Sequence, residues 1–315
     1  MIINKCVLIL NEVGKYHVIM AEDKTEGVVM TLIMAESDKD DGFFVGDTLL
    51  TVVPSLEKSG PFNGEYHALK LHILSPKICI ALAGYYELGL TVIHKVSQYV
   101  SQPDIENSIF ELVHSIYKNE CGGHLNACEF LVMAITPQGT CLKKISYEGI
   151  WHFKKSYIGD PEAYKELQRI RLPFQAPTEE LVQQSDGSFI QRPFVLTDLE
   201  KNFIEISNAM IILPSNTVGV LGDGVFRVRV NRFGIFEYMQ QVRRGNSAEE
   251  INIGISLLSS TEPRYGIGIF YQAGFGYCWI VGDSEYCRRI DANTISDFIE
   301  IASKNYNLSL KGGTW

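Results

Sequence analysis

The chain has 315 residues, enough for one large domain or two modest ones. Its hydrophobic content of 46% and charged content of 21% describe a folded globular protein and exclude a disordered one. A formal net charge of −9 excludes a general nucleic-acid binder, which needs a basic surface to displace counterions.

No apolar run approaches the length of a bilayer crossing, so no membrane partner is expected. The apolar run Cys6 to Leu10 is too short for a secretory signal. Cysteines stand at 6, 79, 121, 128, 141, 278 and 287, an odd set without regular spacing, and several lie in apolar runs. That usage predicts free, buried thiols in a reducing compartment, and hence a cytoplasmic protein.

In chain order, Val7–Leu10 and Tyr16–Met20 read as two strands around a hairpin-length loop. Four further strands are predicted between Thr31 and Gly84. They are Thr31–Ala35, Phe43–Thr48, Leu69–Leu74 and Lys77–Gly84, with an acidic turn after the first and a Pro- and Gly-containing loop after the second. Their apolar runs are nearly continuous, so both faces of the sheet are expected to be covered. The period then becomes helical. Leu88, Val92, Val96 and Tyr99 mark one face, and Gln102-Pro103-Asp104 ends it. A second helix is predicted from Ser108, with Glu111 completing a capping box and Ile109, Leu112, Val113 and Ile116 as its stripe.

Strands return at Glu129–Ile135 and Thr140–Ile145. An aromatic stretch from Tyr147 to Lys154 follows, then Tyr157-Ile158-Gly159. Asp160-Pro161 caps a helix, with proline where no N–H is needed. Residues 171–196 read as a long surface insertion. Thr197 and Glu200 form another capping box, ahead of the stripe Leu199, Phe203, Ile206 and Met210. Val218–Leu221, Val225–Val230 and Ile235–Tyr238 are predicted strands. The remainder reads as strands at Ile251–Leu258, Gly266–Gln272 and Tyr277–Val281, then a helix over Thr294–Lys304 with Ile295, Phe298, Ile299 and Ala302 inward. These last strands are expected to pair with residues 5–22 and extend one sheet.

Several short motifs point to no ligand. Cys121-Gly122-Gly123-His124 with Cys128 lacks the second cysteine pair of a zinc site. Gly222-Asp223-Gly224 and Gly266-Ile267-Gly268 do not open helices, as a phosphate cradle must. Asp38, Asp40 and Asp41 lack the spacing and closing glutamate of a calcium loop. Arg227, Arg229, Arg243 and Arg244 read as exposed positions. No metal and no cofactor is expected.

The order of elements from Thr31 onward resembles a proteasome-type subunit of the N-terminal nucleophile (Ntn) hydrolase superfamily. In that family a nucleophilic threonine opens the first strand and an aspartate closes the second. A lysine sits on the third strand, and an Ala-Gly pair ends the fourth. Thr31, Asp47, Lys70 and Ala83-Gly84 hold those places here. The resemblance implies an α+β fold, a four-layer α/β/β/α sandwich with added terminal strands. Residues 28–240 would be the core, 1–27 an N-terminal hairpin extension, and 241–315 additional strands plus a helix. It also implies site roles: Thr31 as nucleophile, Lys70 as the neighbouring cation, Asp47 as its orienting partner, and an N–H near Gly84 for the oxyanion. Association into a homo-oligomer and a peptide or protein substrate are further implications. The chain departs from the family at Asp160-Pro161, where a serine-containing loop usually supports the nucleophile.

An N-terminal nucleophile uses its own free α-amine as the base. Here Met30 precedes Thr31, so the Thr31 nitrogen is an amide until the chain is cut between them. The family commonly has glycine at that position. The first reading is therefore a catalytically silent protein that acts through self-association while unprocessed. The alternatives are a threonine peptidase or amidohydrolase activated by cleavage before Thr31, and an unrelated α+β ligand-binding domain.

Overall fold

A computed structural model describes residues 5–10, 16–21, 31–50, 66–67, 69–122, 127–174, 179–183, 188–193, 195–213, 225–239, 255–259, 266–271, 274–280 and 288–312. These form a mixed α+β structure with five helices and several antiparallel sheets. The first strands are β1 (Lys5–Leu10), β2 (Tyr16–Ala21), β3 (Leu32–Ser37), β4 (Gly42–Gly46), β5 (Leu49–Leu50), β6 (Tyr66–His67), β7 (Leu71–Ser75) and β8 (Ile78–Gly84). Helices α1 (Tyr86–Ser97) and α2 (Ile105–Glu120) follow. Next come β9 (Cys128–Thr136), β10 (Gly139–Ile145), β11 (Ile150–Phe153), β12 (Lys155–Gly159) and α3 (Pro161–Ile170). After β13 (Glu179–Gln183), β14 (Phe189–Pro193) and α4 (Asp198–Ile212) the chain runs through β15 (Phe226–Val230), β16 (Phe236–Tyr238), β17 (Ile255–Ser259), β18 (Gly266–Tyr271), β19 (Phe275–Ile280) and β20 (Arg288–Asp291). It closes with α5 (Ile295–Tyr306) and β21 (Leu310–Gly312).

Two five-stranded sheets dominate, ordered β11-β10-β9-β8-β7 and β12-β3-β4-β15-β16. The period of two in each strand divides their residues between clusters. Leu71, Ile73, Cys79, Ala81, Leu131, Met133 and Leu142 of the first sheet share one apolar core with Ile33, Ala35, Phe44, Ile158, Phe226 and Val228 of the second. The alternate residues Ile78, Ile80, Leu82, Phe130 and Val132 pack with α1 and α2. On the second sheet, Leu32, Met34, Phe43 and Val45 pack with α3 and α4. Fully burying a side chain such as Phe44 contributes about 1.5–3 kcal/mol, so these clusters supply the main driving force. Tyr238 bridges the sheets: its hydroxyl donates to the Leu71 carbonyl at 2.7 Å.

A third five-stranded sheet, β20-β19-β18-β17-β21, is built from the C-terminal region. One face packs with α5 through Phe270, Cys278, Ile280 and Phe298. From the other, Tyr277 and Trp279 enter the central core, where Trp279 meets Phe226 edge-on at 5.2 Å.

The structure corrects several expectations. The C-terminal strands do not extend a sheet with residues 5–22: β1 and β2 pair with each other, and β17 to β21 form their own sheet. The edges of that sheet are β20 and β21, and among the described residues neither pairs with β1 or β2. Residues 171–196 contain a paired hairpin, β13 with β14. Helix α1 ends at Ser97, and Tyr99 lies 39% exposed beyond it. The expected Val92 and Val96 are buried, and the buried face also takes in Tyr86, Gly89, Leu90 and Ile93, with Gly89 letting the helix approach Leu82. Helix α2 begins at Ile105 without a side-chain cap, since burial of Ile105, Ile109 and Val113 sets its period. Arg229 is no exposed strand residue: it pairs with Asp41 at 2.7 Å and Glu200 at 3.0 Å, tying the acidic turn to α4. The predicted strand at Val218–Leu221, the pair Arg243-Arg244 and the bond between Met30 and Thr31 lie outside the described residues. Among the described residues no helix is long and apolar enough to cross a membrane.

Candidate active site

The ends of β4 and β8 and the starts of β3 and β7 lie at one end of the two large sheets. Thr31 immediately precedes β3, Asp47 follows β4, Lys70 precedes β7, and Gly84 ends β8. The Lys70 Nζ donates to Thr31 Oγ1 at 2.7 Å and to Asp47 Oδ2 at 2.8 Å. The other Asp47 oxygen, Oδ1, accepts the Leu32 N–H at 3.0 Å. One carboxylate thus holds the lysine and the backbone next to the threonine.

Lys70 is 2% exposed and Asp47 1% exposed. Burial dominates the ionisation of both. It lowers the proton affinity of Lys70 and raises that of Asp47, while the charge of each restrains the shift of the other. A lysine held in this balance is an ammonium that gives up a proton more readily than a solvated one. An ammonium placed against a hydroxyl oxygen can stabilise an alkoxide there.

Thr31 is fixed from its other side by β12. The Asp160 N–H donates to the Thr31 carbonyl at 2.8 Å. That approach requires Gly159, because a Cβ there would lie 2.0 Å from the Thr31 oxygen, and its φ of +100° is one that L side chains rarely adopt. The Asp160 carboxylate is turned to α3, where Oδ1 caps the helix by accepting the Glu162 N–H at 2.8 Å. The contact of residue 160 to Thr31 is therefore made by its backbone N–H and not by its side chain. Sequence reasoning missed this contact, since it is carried by the backbone; the Ile158-Gly159 pair ahead of Asp160 was its only signal.

Gly84 is placed by a separate constraint. Its φ is +102°, and a Cβ would lie 2.2 Å from the Ala127 carbonyl, which accepts the Tyr85 N–H. The Leu82 N–H, two residues earlier, donates to the Lys70 carbonyl at 3.1 Å. By the alternation of a strand, the Gly84 N–H projects to that same edge.

The other motifs are engaged elsewhere. Cys121 and Cys128 are buried, and their thiols donate to the carbonyls of Lys118 and Tyr85. Burial pushes the Cys128 thiol up to about 12. Gly123 and His124 lie outside the described residues, and among the described residues no three metal-binding side chains converge. No protein-family model matches the sequence, and no curated protein matches it.

Proposed function

We propose that the protein is a proteasome-type Ntn hydrolase with a four-layer α/β/β/α core, an amide-bond hydrolase whose nucleophile is Thr31 once the chain is cut between Met30 and Thr31. The observation that carries this reading is the buried Lys70 ammonium set between Thr31 Oγ1 and Asp47. Desolvating two charges costs several kcal/mol per ion, so a buried pair is poorly explained as a source of stability. Its contact with a hydroxyl at a strand terminus gives it a chemical use. The layering is supported by the partition of both sheets between a shared core and separate helical faces.

In the cut protein the freed Thr31 amine takes the hydroxyl proton while Oγ1 attacks the carbonyl carbon of a peptide or protein substrate. Lys70 disfavours protonation of that amine and stabilises the developing alkoxide. The Gly84 N–H receives the oxyanion. The leaving amine departs with the proton, and water releases the acyl group from Thr31. Before the cut the Thr31 nitrogen is an amide and the protein is silent, working through self-association in a cytoplasmic homo-oligomer.

The silent state as the permanent one is the second reading, favoured by Met30 at a place where the family commonly has glycine. Fluorogenic peptide amides separate the two. Hydrolysis that disappears in Thr31→Ala supports the hydrolase; a Thr31-terminated protein that cleaves none of them supports the silent relative.

A further inference from the structure

Glu129 lies on β9 on the same side as Leu131 and Met133, two residues of the core shared by the large sheets. In the ladder with β8 it stands opposite Ala83, one residue from Gly84. Its Oε1 is 2.6 Å from Lys144 Nζ, and its Oε2 accepts the Gly159 N–H at 3.4 Å. Lys144 also donates to the Tyr157 carbonyl at 3.4 Å, so both side chains reach across to β12.

The place of β12 explains why this matters. It is the edge strand of its sheet, paired on one side with β3. The Asp160 N–H faces β3 and holds the Thr31 carbonyl. By alternation the Gly159 N–H faces the open edge, where no strand among the described residues receives it, and Glu129 is the acceptor it finds. Gly159 has a positive φ and no side chain to restrict it, so its conformation depends on what its peptide groups bind.

We propose that Glu129, oriented by Lys144, is a positioning residue for Thr31. It holds the Gly159 N–H and thereby sets the Gly159–Asp160 segment whose next N–H fixes the nucleophile's carbonyl. The role rests on the hydrolase reading, but the tether itself does not, and one experiment separates them. Backbone hydrogen exchange and, after the cut before Thr31, peptide-amide hydrolysis are measured on the unaltered protein, on Glu129→Ala and on Glu129→Gln. In Glu129→Ala the Asp160 amide exchanges about tenfold faster, while that of Phe298 in α5 is unchanged. Its kcat falls about tenfold and KM stays within about threefold, the signature of lost alignment rather than lost binding. Glu129→Gln keeps an acceptor for Gly159 and restores both. An Asp160 amide that exchanges as before in Glu129→Ala, or a Glu129→Gln that behaves like the alanine variant, overturns the proposal. If the unaltered protein, cut before Thr31, hydrolyses none of the peptides, the hydrolase reading fails alone and the exchange result still decides the tether.

Discussion

Gly159 and the Thr31 carbonyl approach more closely than any side chain at position 159 would permit: a Cβ there would stand 2.0 Å from the oxygen. The start of β3 and the end of β12 are locked together by this contact and by the Asp160 N–H beside it. Gly159→Ala therefore has to open the junction. It is expected to cost about 2 kcal/mol or more in urea denaturation, because strain at positive φ adds to a backbone clash. The same substitution at Gly234, which has positive φ but nothing near its Cβ position, is expected to cost less.

The Lys70–Asp47 pair separates stability from chemistry. Lys70→Met alone leaves a buried carboxylate, and Asp47→Leu alone leaves a buried ammonium. Each is expected to destabilise the fold by about 3–5 kcal/mol. Combining them removes both charges, so the double variant should recover much of that loss in a denaturation cycle. Recovery stays incomplete, since Asp47 also accepts the Leu32 N–H. Hydrolysis should be absent from all three. A double variant as unstable as the sum of the singles would contradict the electrostatic account of the pair.

His72 predicts an acid-sensitive component of stability. It is buried on β7, and burial lowers its pKa from 6.5 to about 4, opposed in part by the Leu69 backbone. Neither ring nitrogen makes a hydrogen bond of good geometry among the described residues, so the Leu69 effect is a weak one. Between these two pH values the unfolded chain binds more protons than the folded one, and acid favours unfolding. The stabilisation is complete above about pH 6.5 and is lost as pH falls towards 4. Between pH 7 and 4.5 the unaltered protein should lose about 2 kcal/mol more than His72→Leu, whose other titrating groups are the same. Equal losses in denaturation at the two pH values would show that His72 is not held neutral.

The four expected strands between Thr31 and Gly84 were legible in sequence because each is a short apolar run between turn residues, and the structure places them within two residues of the expected bounds. The Thr197–Glu200 capping box was equally plain, since both partners are local. What escaped was long-range. Arg229 reads as an exposed strand position until β15 is laid beside β4, which brings it to Asp41. The separate C-terminal sheet follows from the pairing of β20 with β19 and β21 with β17, and neither added strand has an apolar run long enough to announce it. At the site, Thr31, Asp47 and Lys70 could be named from order along the chain. The support from Asp160 could not, because a backbone N–H has no residue identity.

The mass of the purified full-length protein, followed over time, tests the central claim most directly. The account predicts a product that begins at Thr31, accumulating in the unaltered protein and followed by hydrolysis of peptide amides. An unaltered chain that keeps Met30 joined to Thr31 throughout would contradict it, as would peptide hydrolysis at an undiminished rate in Thr31→Ala.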